Sequence, residues 1–317
     1  MERIIGFDGK VLPPTVNMHI IGVCNFGCKF CFAPFADRQN PLPLEDGKRI
    51  IELLAAHGVS RITFAGGEPT LHRDLLALLK HARSVGVVSA VVTNASLIDE
   101  QWCEEFLPEL RWLVLSLDSA DPTTCDLIGR QMKSGYINHP KQIKQVGQLV
   151  REWNYRHPDV SPVRIKINIV VTSLSADEDP SSFLLELRPD RIKLLACGIR
   201  QGENDHAAYL QCSGDKFAAY CERVGVLRRH GIVVIAEEED LQLGSYAMID
   251  PRGCFYQSQS NGRIVVSEPI LEVGLIEAWK QVGGFDAGKF AARGGEYDPG
   301  EIASGGDNDR HEDPDSL

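Results

Sequence analysis

The sequence lacks the features that would direct the chain to a membrane, to DNA or into a disulfide-bonded fold. No run of about 18 apolar residues occurs, so no membrane-spanning helix is predicted. The formal net charge is −11, from 33 basic and 44 acidic residues, and a global basic surface for DNA is therefore excluded. The start, MERIIGFDGKVLPP, has no long apolar stretch of the kind found in signal peptides. Nine cysteines, an odd number, favour a reducing compartment, and we expect a cytoplasmic protein.

Strand and helix patterns alternate along most of the 317 residues, of which 43% are hydrophobic. About seven apolar or alternating runs predict strands, from TVNMHIIG near the start to GIVVIA near residue 235. Amphipathic helical patterns such as LEDGKRIIELLAAHG lie between them, and several end at a glycine. Strands separated by crossover helices pair in parallel, so the sequence predicts an α/β fold with one sizeable core.

Three cysteines stand within eight residues in CNFGCKFCF, at Cys24, Cys28 and Cys31. Thiolates are soft ligands for zinc or for iron–sulfur clusters, and this spacing in a loop after the first strand predicts a metal site. A structural zinc would need a fourth, distant ligand, and the other six cysteines are scattered. A cubane held by three thiolates would leave one iron open to a non-protein ligand. The remaining alternative is that the three cysteines are small buried hydrophobes.

Basic side chains alternate with apolar ones along several predicted strands. In VRIKINIV, Val163, Ile165 and Ile167 share one face, whereas Lys166 and Asn168 share the other. The runs RITF, RIKLL and VNMHI divide in the same way, and their polar sides carry Arg61, Arg191, Lys193 and Asn17. An enclosed sheet face with several cations is costly unless an anion fills the space beside it, so the pattern predicts a phosphate-bearing substrate. The alternative is that each basic residue pairs with a carboxylate or reaches solvent at the rim of that face.

CNFGCKFCF followed by GGEP (Gly66 to Pro69) after the second strand resembles the radical S-adenosylmethionine (SAM) superfamily. Further blocks, among them VTNASLI, LSLDS, LIGR, RIKLLACGIRQGEN, GSYAMID and GGFDAGKFAARGGEY, resemble the viperin family of that superfamily in order and nearly end to end. The resemblance implies a partial (β/α)6 barrel with a C-terminal extension closing the site. It also implies a [4Fe–4S] cluster on Cys24, Cys28 and Cys31, with SAM chelated to its open iron.

The resemblance carries further roles onto matching positions of this sequence. One-electron reduction would cleave SAM to methionine and a 5′-deoxyadenosyl radical, which takes a hydrogen atom from the substrate. Residues matching the SAM site are Phe30, Gly66, Gly67, Glu68, Asn94, Ser96, Ser116, Asp118 and Arg130. Residues matching the nucleotide site are Asn17, Arg61, Lys166, Asn168, Arg191 and Lys193. Tyr246 matches a tyrosine thought to assist the final reduction and protonation, because a phenol can supply a proton and an electron.

The implied reaction is that of a 3′-deoxy-3′,4′-didehydronucleotide synthase. The radical would take the 4′ hydrogen of a nucleoside triphosphate, and the 3′ hydroxyl would leave as water. The product lacks a 3′ hydroxyl and terminates polymerase extension, which implies a role in antiviral or antiphage defence. CTP ranks first as the substrate, with UTP or GTP as alternatives. The implied electron donor is a flavodoxin or ferredoxin, and we expect a monomer that binds neither DNA nor a membrane.

Four regions are expected along the chain: a short lead-in over 1–15, the barrel over 16–240, an extension over 241–300, and an acidic disordered tail over 301–317. Two interpretations from other classes stay open beside the viperin resemblance. One is another radical SAM enzyme acting on a phosphorylated small molecule or a peptide. The other is a non-catalytic module that binds zinc or a cluster.

Overall fold

A computed structural model describes residues 12–33 and 37–295 of the chain. Seven parallel strands follow one another in sequence order across a single sheet, each hydrogen-bonded to the next. The strands are β1 (Thr15–His19), β2 (Arg61–Ala65), β3 (Val88–Thr93), β4 (Trp112–Ser116), β5 (Arg164–Val171), β6 (Arg191–Ala196) and β7 (Val233–Glu237). This order is the one expected for strands joined by right-handed crossover helices.

Helices cross between successive strands and cover the outer face of the sheet. They are α1 (Leu44–Ala56), α2 (Leu75–Ser84), α3 (Glu100–Phe106), α4 (Pro122–Leu127), α5 (His139–Arg156), α6 (Ser181–Leu187) and α7 (Gly214–Gly225). The sequence pattern predicts all of them except α4, a six-residue helix that begins at Pro122 behind the cap of Asp121. Its shortness explains why no amphipathic repeat reveals it.

The two faces of the central strands have different contents. On β5, Ile165, Ile167 and Ile169 are buried in the main hydrophobic core against the helices. Lys166 points to the opposite face, where its Cα pairs with that of Arg191 on β6. The alternation in the sequence predicts this division, because successive side chains of a strand face opposite sides. We call the inner, polar side of β1–β7 the lumen.

After β7 the chain returns to the other edge of the sheet. β8 (Met248–Ile249) runs parallel to β1, and β9 (Cys254–Ser258) and β10 (Ile264–Pro269) add an antiparallel hairpin. The short helices α8 (Glu239–Gln242), α9 (Ile270–Val273), α10 (Leu275–Val282) and α11 (Ala287–Ala292) complete this part. The sequence pattern did not predict β8–β10, because they are short and carry no regular alternation.

The expected fold class is confirmed: the structure has an α/β sheet of parallel strands wrapped by helices, with an added C-terminal part. The expected boundary at residue 240 falls within α8, and the division into regions stays a prediction. The acidic tail over 301–317 lies outside the described residues. Within 12–33 and 37–295, no helix combines the length and the hydropathy that crossing a membrane requires.

Candidate active site

The cysteine loop, residues 20–33, follows β1 and carries three free thiols. Cys24, Cys28 and Cys31 are half-buried, and no disulfide joins them. They lie close enough to influence one another: burial raises the pKa of Cys28 to about 12, with the charge of Arg130 acting against this rise and charge on Cys31 and Cys24 adding to it. The Phe26 backbone N–H donates to Cys24 Sγ at 3.3 Å. The loop therefore presents three sulfur donors to one region at the carboxyl end of the sheet.

The segment after α4 holds the cysteine loop from one side. The Gly27 backbone N–H donates to the Gln131 carbonyl oxygen at 3.2 Å, and the Lys29 N–H donates to the Ile128 carbonyl at 3.0 Å. Gly129 has a φ of +76°, and a Cβ there would lie 2.4 Å from the Gly27 carbonyl oxygen. Only glycine accommodates both the left-handed backbone and this approach. The glycine of LIGR therefore allows the two segments to meet.

The GGEP segment holds the cysteine loop from the other side. The Gly67 backbone N–H donates to the Ile21 carbonyl oxygen at 2.6 Å, and the Glu68 N–H donates to the Val23 carbonyl at 2.9 Å. A Cβ on Gly67 would lie 2.2 Å from the Val23 carbonyl oxygen, so the two backbones are in close contact. These two amides are occupied by the loop. An ammonium group reaching this segment would meet carbonyl oxygens or the Glu68 carboxylate.

Glu68 is 1% exposed and joins the ends of β2 and β3. Its Oε1 accepts from the Thr70 N–H at 3.1 Å, from Thr70 Oγ1 at 2.7 Å and from Thr93 Oγ1 at 2.7 Å. Its Oε2 accepts from the Asn94 N–H at 2.8 Å and keeps capacity for another donor. Burial raises the pKa of this carboxyl, and the four hydrogen bonds act against that rise. Glu68 is thus fixed in place and still able to accept a hydrogen bond.

A second polar network ties the cysteine loop to the end of β3. The Asn94 side-chain amide donates to Asn25 Oδ1 at 2.8 Å, and Asn25 Nδ2 donates to Ser96 Oγ at 2.8 Å. Asn94 Oδ1 accepts from the Ser96 N–H at 3.0 Å. Two of the residues predicted to line the SAM site, Asn94 and Ser96, therefore lie next to the thiol of Cys24, which is 4.0 Å from Asn94 Nδ2.

Asp118 and Arg130 form an ion pair beneath the cysteine loop. The Arg130 guanidinium donates two hydrogen bonds to Asp118 Oδ2, while Asp118 Oδ1 accepts from the Val170 N–H at 2.8 Å. The guanidinium carbon lies 5.5 Å from the centre of the buried Phe30 ring. Ser116 is half-buried at the end of β4, in register with Asn168. The structure thus brings together the predicted residues from four separate segments.

The lower part of the lumen, towards the start of the strands, contains three buried cations. Arg61, Lys166 and Arg191 are 6%, 8% and 7% exposed. Arg61 Nη2 donates to the Gly295 carbonyl oxygen and Arg191 Nη2 to the Gly294 carbonyl oxygen, both at 3.0 Å. Burial, together with the positive charge of Arg191, lowers the pKa of Lys166 to about 7. A nearby anion would therefore be strongly favoured.

The upper part of the lumen contains Lys193, Glu237, Tyr246 and Arg293, which we call the Glu237 cluster. Lys193 Nζ forms an ion pair with Glu237 Oε1 and donates to the Tyr246 hydroxyl oxygen at 2.9 Å. The Tyr246 hydroxyl donates to Glu237 Oε2 at 2.6 Å. Arg293 stacks on the Tyr246 ring with its guanidinium carbon 3.5 Å from the ring centre, and its Nη1 lies 3.6 Å from Glu237 Oε1.

The cations of the lumen have more than one kind of partner. Lys193 and Arg293 meet a carboxylate, as the alternative interpretation of the basic strands expects. Arg61 and Arg191 include backbone carbonyls among their partners. Asn17 and Asn168 also face the lumen, from β1 and β5. Asn168 Oδ1 is buried and, among the described residues, has no hydrogen-bond partner. A buried acceptor without a partner is rare, and a ligand hydroxyl would satisfy it.

Known proteins resemble this chain over nearly its whole length. A protein of Flammeovirga pacifica named S-adenosylmethionine-dependent nucleotide dehydratase is 34% identical over 94% of this chain and 99% of its own length. A protein of Oncorhynchus mykiss named S-adenosylmethionine-dependent nucleotide dehydratase RSAD2 is 34% identical over 92% of this chain and 82% of its own. The family model of the Radical SAM superfamily matches residues 18–171.

This chain belongs to the viperin family of radical SAM enzymes. A solved structure has the same fold as this chain. Streptococcus suis SuiB bound to S-adenosylmethionine superposes with a TM-score of 0.62 at 19% identity, over 89% of this chain and 68% of SuiB. At that identity the likeness supports the radical SAM fold alone. The predicted recognition, fold class and cofactors are confirmed.

The residues of this viperin fit the two cofactors of the superfamily, a [4Fe–4S] cluster and SAM. Three free thiols converge in one loop, and thiolates are the usual ligands of such clusters. In the described part of the chain, no group of three or more His, Cys, Asp or Glu side chains is arranged to hold a single metal ion. The cysteines of a cluster bind different iron atoms, so their spacing differs from that of a one-ion site.

Motif-based reasoning missed several residues of this viperin site. Asn25 directly follows Cys24 in CNFGCKFCF. An amide side chain next to a cluster ligand is the feature of the sequence that could have identified it. Glu237 is the last residue of β7 and stands in IAEEED, where one of three glutamates is buried and no local pattern distinguishes it. Arg293 lies 47 residues beyond Tyr246, and only the folded chain brings the two together. The catalytic and binding roles predicted from the sequence stay predictions.

Proposed function

We propose that this enzyme dehydrates a nucleoside triphosphate to its 3′-deoxy-3′,4′-didehydro analogue. The observation that carries the proposal is the lumen, where Arg61, Lys166 and Arg191 converge beneath a loop of three free thiols. Relatives named nucleotide dehydratases support the same substrate class. When bound, the cluster and SAM supply the one-electron chemistry that removes the 4′ hydrogen atom from the ribose.

The chain's own residues bind and orient the substrate in this proposal. Arg61, Lys166, Arg191 and Lys193 bind the triphosphate, because guanidinium and ammonium groups form charge-assisted hydrogen bonds with phosphate oxygens. Asn168 Oδ1 accepts a hydrogen bond from the ribose, which satisfies its buried lone pairs. Asn17 contacts the nucleoside from the neighbouring edge of the lumen. The ribose would then lie between the phosphate-binding cations and the cysteine loop.

SAM is bound in this proposal by the residues around the cysteine loop. Glu68 Oε2 and the carbonyl oxygens of Gly66 and Gly67 accept from the SAM ammonium group. Arg130, held by Asp118, presents its remaining donors to the SAM carboxylate. Ser116, Asn94, Ser96 and Phe30 complete the walls of this subsite. Tyr246 would supply the electron that completes the reaction.

Supply of electrons is the role that we propose for a flavodoxin or a ferredoxin. Lys29 and Lys133 are exposed on the two segments that form the cysteine loop and its support. Lys29 Nζ lies 2.9 Å from the Leu127 carbonyl oxygen, and Lys133 Nζ lies 3.1 Å from the Cys24 carbonyl oxygen. Two lysines beside the cluster site suit an acidic redox protein on an otherwise acidic enzyme.

The biological setting follows from the product, which lacks a 3′ hydroxyl and stops polymerase extension. We therefore propose that the enzyme acts in antiviral or antiphage defence as a cytoplasmic monomer that binds neither DNA nor a membrane. CTP ranks first as the substrate, with UTP and GTP next, because viperin-like enzymes favour these bases. The lumen cations would contact the phosphates and not the base.

The test uses anaerobic, reconstituted enzyme with SAM and a chemical reductant. CTP, UTP, GTP and ATP are added separately, and 5′-deoxyadenosine and nucleotide products are quantified by mass spectrometry. We expect one nucleotide to accelerate 5′-deoxyadenosine formation and to appear as a product lighter by one water. Stimulation by a peptide or by a different phosphorylated compound, with none by nucleotides, would assign the enzyme to another radical SAM activity.

A further inference from the structure

The Glu237 cluster contains one carboxylate among several cations at a place where an anionic substrate is expected. Glu237 is fully buried and lies on β7, where it contacts Lys193 of β6 and Arg293 of the C-terminal part. A carboxylate here repels the triphosphate and weakens substrate binding. A residue that only had to shape the lumen would not need this charge. Its position next to Tyr246 therefore indicates a task that requires a carboxylate.

The hydrogen-bond directions around Tyr246 are fixed by the chemistry of its partners. Burial lowers the pKa of Lys193, and the charge of Glu237 acts against that shift. As the ammonium of this ion pair, Lys193 has only donors, so it donates to the phenolic oxygen. The single hydrogen of the phenol is then directed at Glu237 Oε2, 2.6 Å away. Arg293 stacks on the ring and fixes its plane. Tyr246 is thus held with its proton already shared with a carboxylate.

The protonation states match this arrangement. Burial raises the pKa of Glu237, but the charges of Lys193 and Arg293 outweigh it and hold the pKa below its usual value. Burial raises the pKa of Tyr246 well above 10, so the phenol keeps its proton at neutral pH. The resting cluster therefore pairs an ionised acceptor with a protonated phenol.

We propose that Glu237 positions Tyr246 and accepts its phenolic proton when Tyr246 gives an electron to the substrate radical. This inference rests on the proposed dehydration. The 3′ hydroxyl takes one proton from solvent and leaves as water, and the substrate-derived radical cation then takes one electron from Tyr246 and becomes the neutral alkene. The Tyr246 O–H bond breaks at the same time, and its proton moves to Glu237 Oε2. The one-electron donor of the enzyme then restores the phenol, and Glu237 returns the proton.

Proton transfer to Glu237 makes this electron transfer possible in a buried site. Oxidation of a phenol that keeps its proton would leave a cationic radical next to Lys193 and Arg293, which is costly in a low-dielectric interior. Transfer of the proton along a 2.6 Å hydrogen bond leaves a neutral radical and a neutral acid. The charge of Lys193 and Arg293 is then available to the triphosphate. Glu237 thereby links substrate binding to the last step.

The test measures how many dehydrated nucleotides form for each 5′-deoxyadenosine. In the unmodified enzyme we expect a ratio near one. Glu237→Gln keeps the shape and still accepts from Tyr246, but an amide cannot take its proton. We expect this variant to form 5′-deoxyadenosine while its ratio falls at least about tenfold. The matched control is Glu238→Gln, which makes the same charge change at the exposed neighbouring residue and should keep the ratio of the unmodified enzyme.

A second variant distinguishes the effect of the Glu237 charge from that of its distance to the Tyr246 hydroxyl. Glu237→Asp keeps the negative charge but withdraws the carboxylate from Tyr246 by one methylene. We expect the ratio to fall in this variant too, while nucleotide affinity stays near that of the unmodified enzyme. Nucleotide affinity of Glu237→Gln, measured by calorimetry on protein without SAM, should be equal or tighter by about tenfold, because a repelling charge is gone.

The outcomes separate the inference from the proposed function. If the unmodified enzyme makes no dehydrated nucleotide, the proposed function itself fails. If it does and both Glu237 variants keep a ratio near one, only the role of Glu237 is wrong. A loss of nucleotide binding in Glu237→Gln by tenfold or more would show that Glu237 merely maintains the lumen, and would also overturn the inference.

Discussion

The two ends of the lumen are assembled in different ways. At the upper end, Cys24, Cys28 and Cys31 come from one loop of eight residues, and backbone hydrogen bonds from GGEP and from the segment after α4 hold that loop. In the lower part, the three cations come from three different strands: Arg61 from β2, Lys166 from β5 and Arg191 from β6. Arg61 and Arg191 are oriented by carbonyls that lie more than a hundred residues away in the chain. One end is local in sequence, and the other exists only in the folded protein.

The two ends also differ in their proposed roles: the cysteine loop serves radical generation, and the cations serve substrate recognition. The described hydrogen bonds that hold the cysteine loop include those from GGEP, from the segment after α4 and from Asn204, and none of them comes from the cations of the lower lumen. The cations, by contrast, depend on the register of β5 with β6, where Lys166 pairs with Arg191 and Asn168 with Lys193. A slip of β6 by one residue against β5 would turn Arg191 and Lys193 away from the lumen while Lys166 and Asn168 stayed. We therefore expect substrate binding to depend on the register of the sheet, and radical generation to depend on the cysteine loop.

The largest effect is expected from removal of one cluster ligand. Cys28→Ala should abolish SAM cleavage, because two thiolates do not retain a [4Fe–4S] cluster with an open iron. Iron content and visible absorption of the anaerobically reconstituted protein measure the result. Cys125→Ala, at a buried cysteine outside the loop, should keep its cluster. Equal iron loss in both variants would mean that cluster binding does not depend specifically on the cysteines of the loop.

The sequence predicts these two ends unequally well for a physical reason. Three thiols with a fixed spacing are recognisable because one loop must supply them. Alternation along β5 and β6 also predicts Lys166 and Lys193, since strand geometry fixes which side chains share a face. Glu237 and Arg293 were missed because their importance comes from contacts between β7 and the C-terminal part. The short strands β8–β10 were missed because two to six residues carry too little periodicity.

The next largest effect is expected in the lower lumen. Lys166→Met removes a buried ammonium, keeps most of the side-chain volume, and should weaken nucleoside triphosphate binding about ten- to a hundredfold. SAM binding should change little, because Glu68 and Arg130 belong to the upper end. Calorimetry with each ligand measures the two affinities. Lys141→Met, on the exposed face of α5, is the matched control. An equal loss for both ligands would contradict the separation of the two ends.

Proton uptake on nucleotide binding is a further property that we expect only of the lower lumen. Burial and the nearby arginines lower the pKa of Lys166 to about 7, and a bound phosphate would raise it again. At pH 8 the free lysine is mostly neutral, so nucleotide binding should take up as much as about one proton. At pH 6 it is already charged, and uptake from this group should vanish. Calorimetry in buffers of different ionisation enthalpy detects the proton, and Lys166→Met should remove it.

A smaller effect is expected from the support of the cysteine loop. Gly129→Ala places a Cβ 2.4 Å from the Gly27 carbonyl oxygen in a left-handed backbone, and should cost about 1–3 kcal/mol of stability and lower cluster occupancy. Gly135→Ala is a matched control, because its φ is +95° but a Cβ there meets no atom within 4 Å. Thermal unfolding and iron content report the difference. Identical losses would show that backbone strain, and not the close approach, governs the loop.

The smallest effect is expected at the hydrogen bonds of Glu68. Thr93→Val keeps the shape of the side chain but removes the hydroxyl that donates to Glu68 Oε1 and accepts from the Ala95 N–H. Two donors remain on that oxygen, so the expected loss is about 1 kcal/mol of unfolding free energy. Thr93→Ser retains the hydroxyl and should recover most of it. SAM affinity should fall more than nucleotide affinity, because Glu68 lies at the upper end of the lumen. An equal fall in both affinities would mean that a change at the ends of β2 and β3 also displaces the cations of the lower lumen. The two ends would then not be independent.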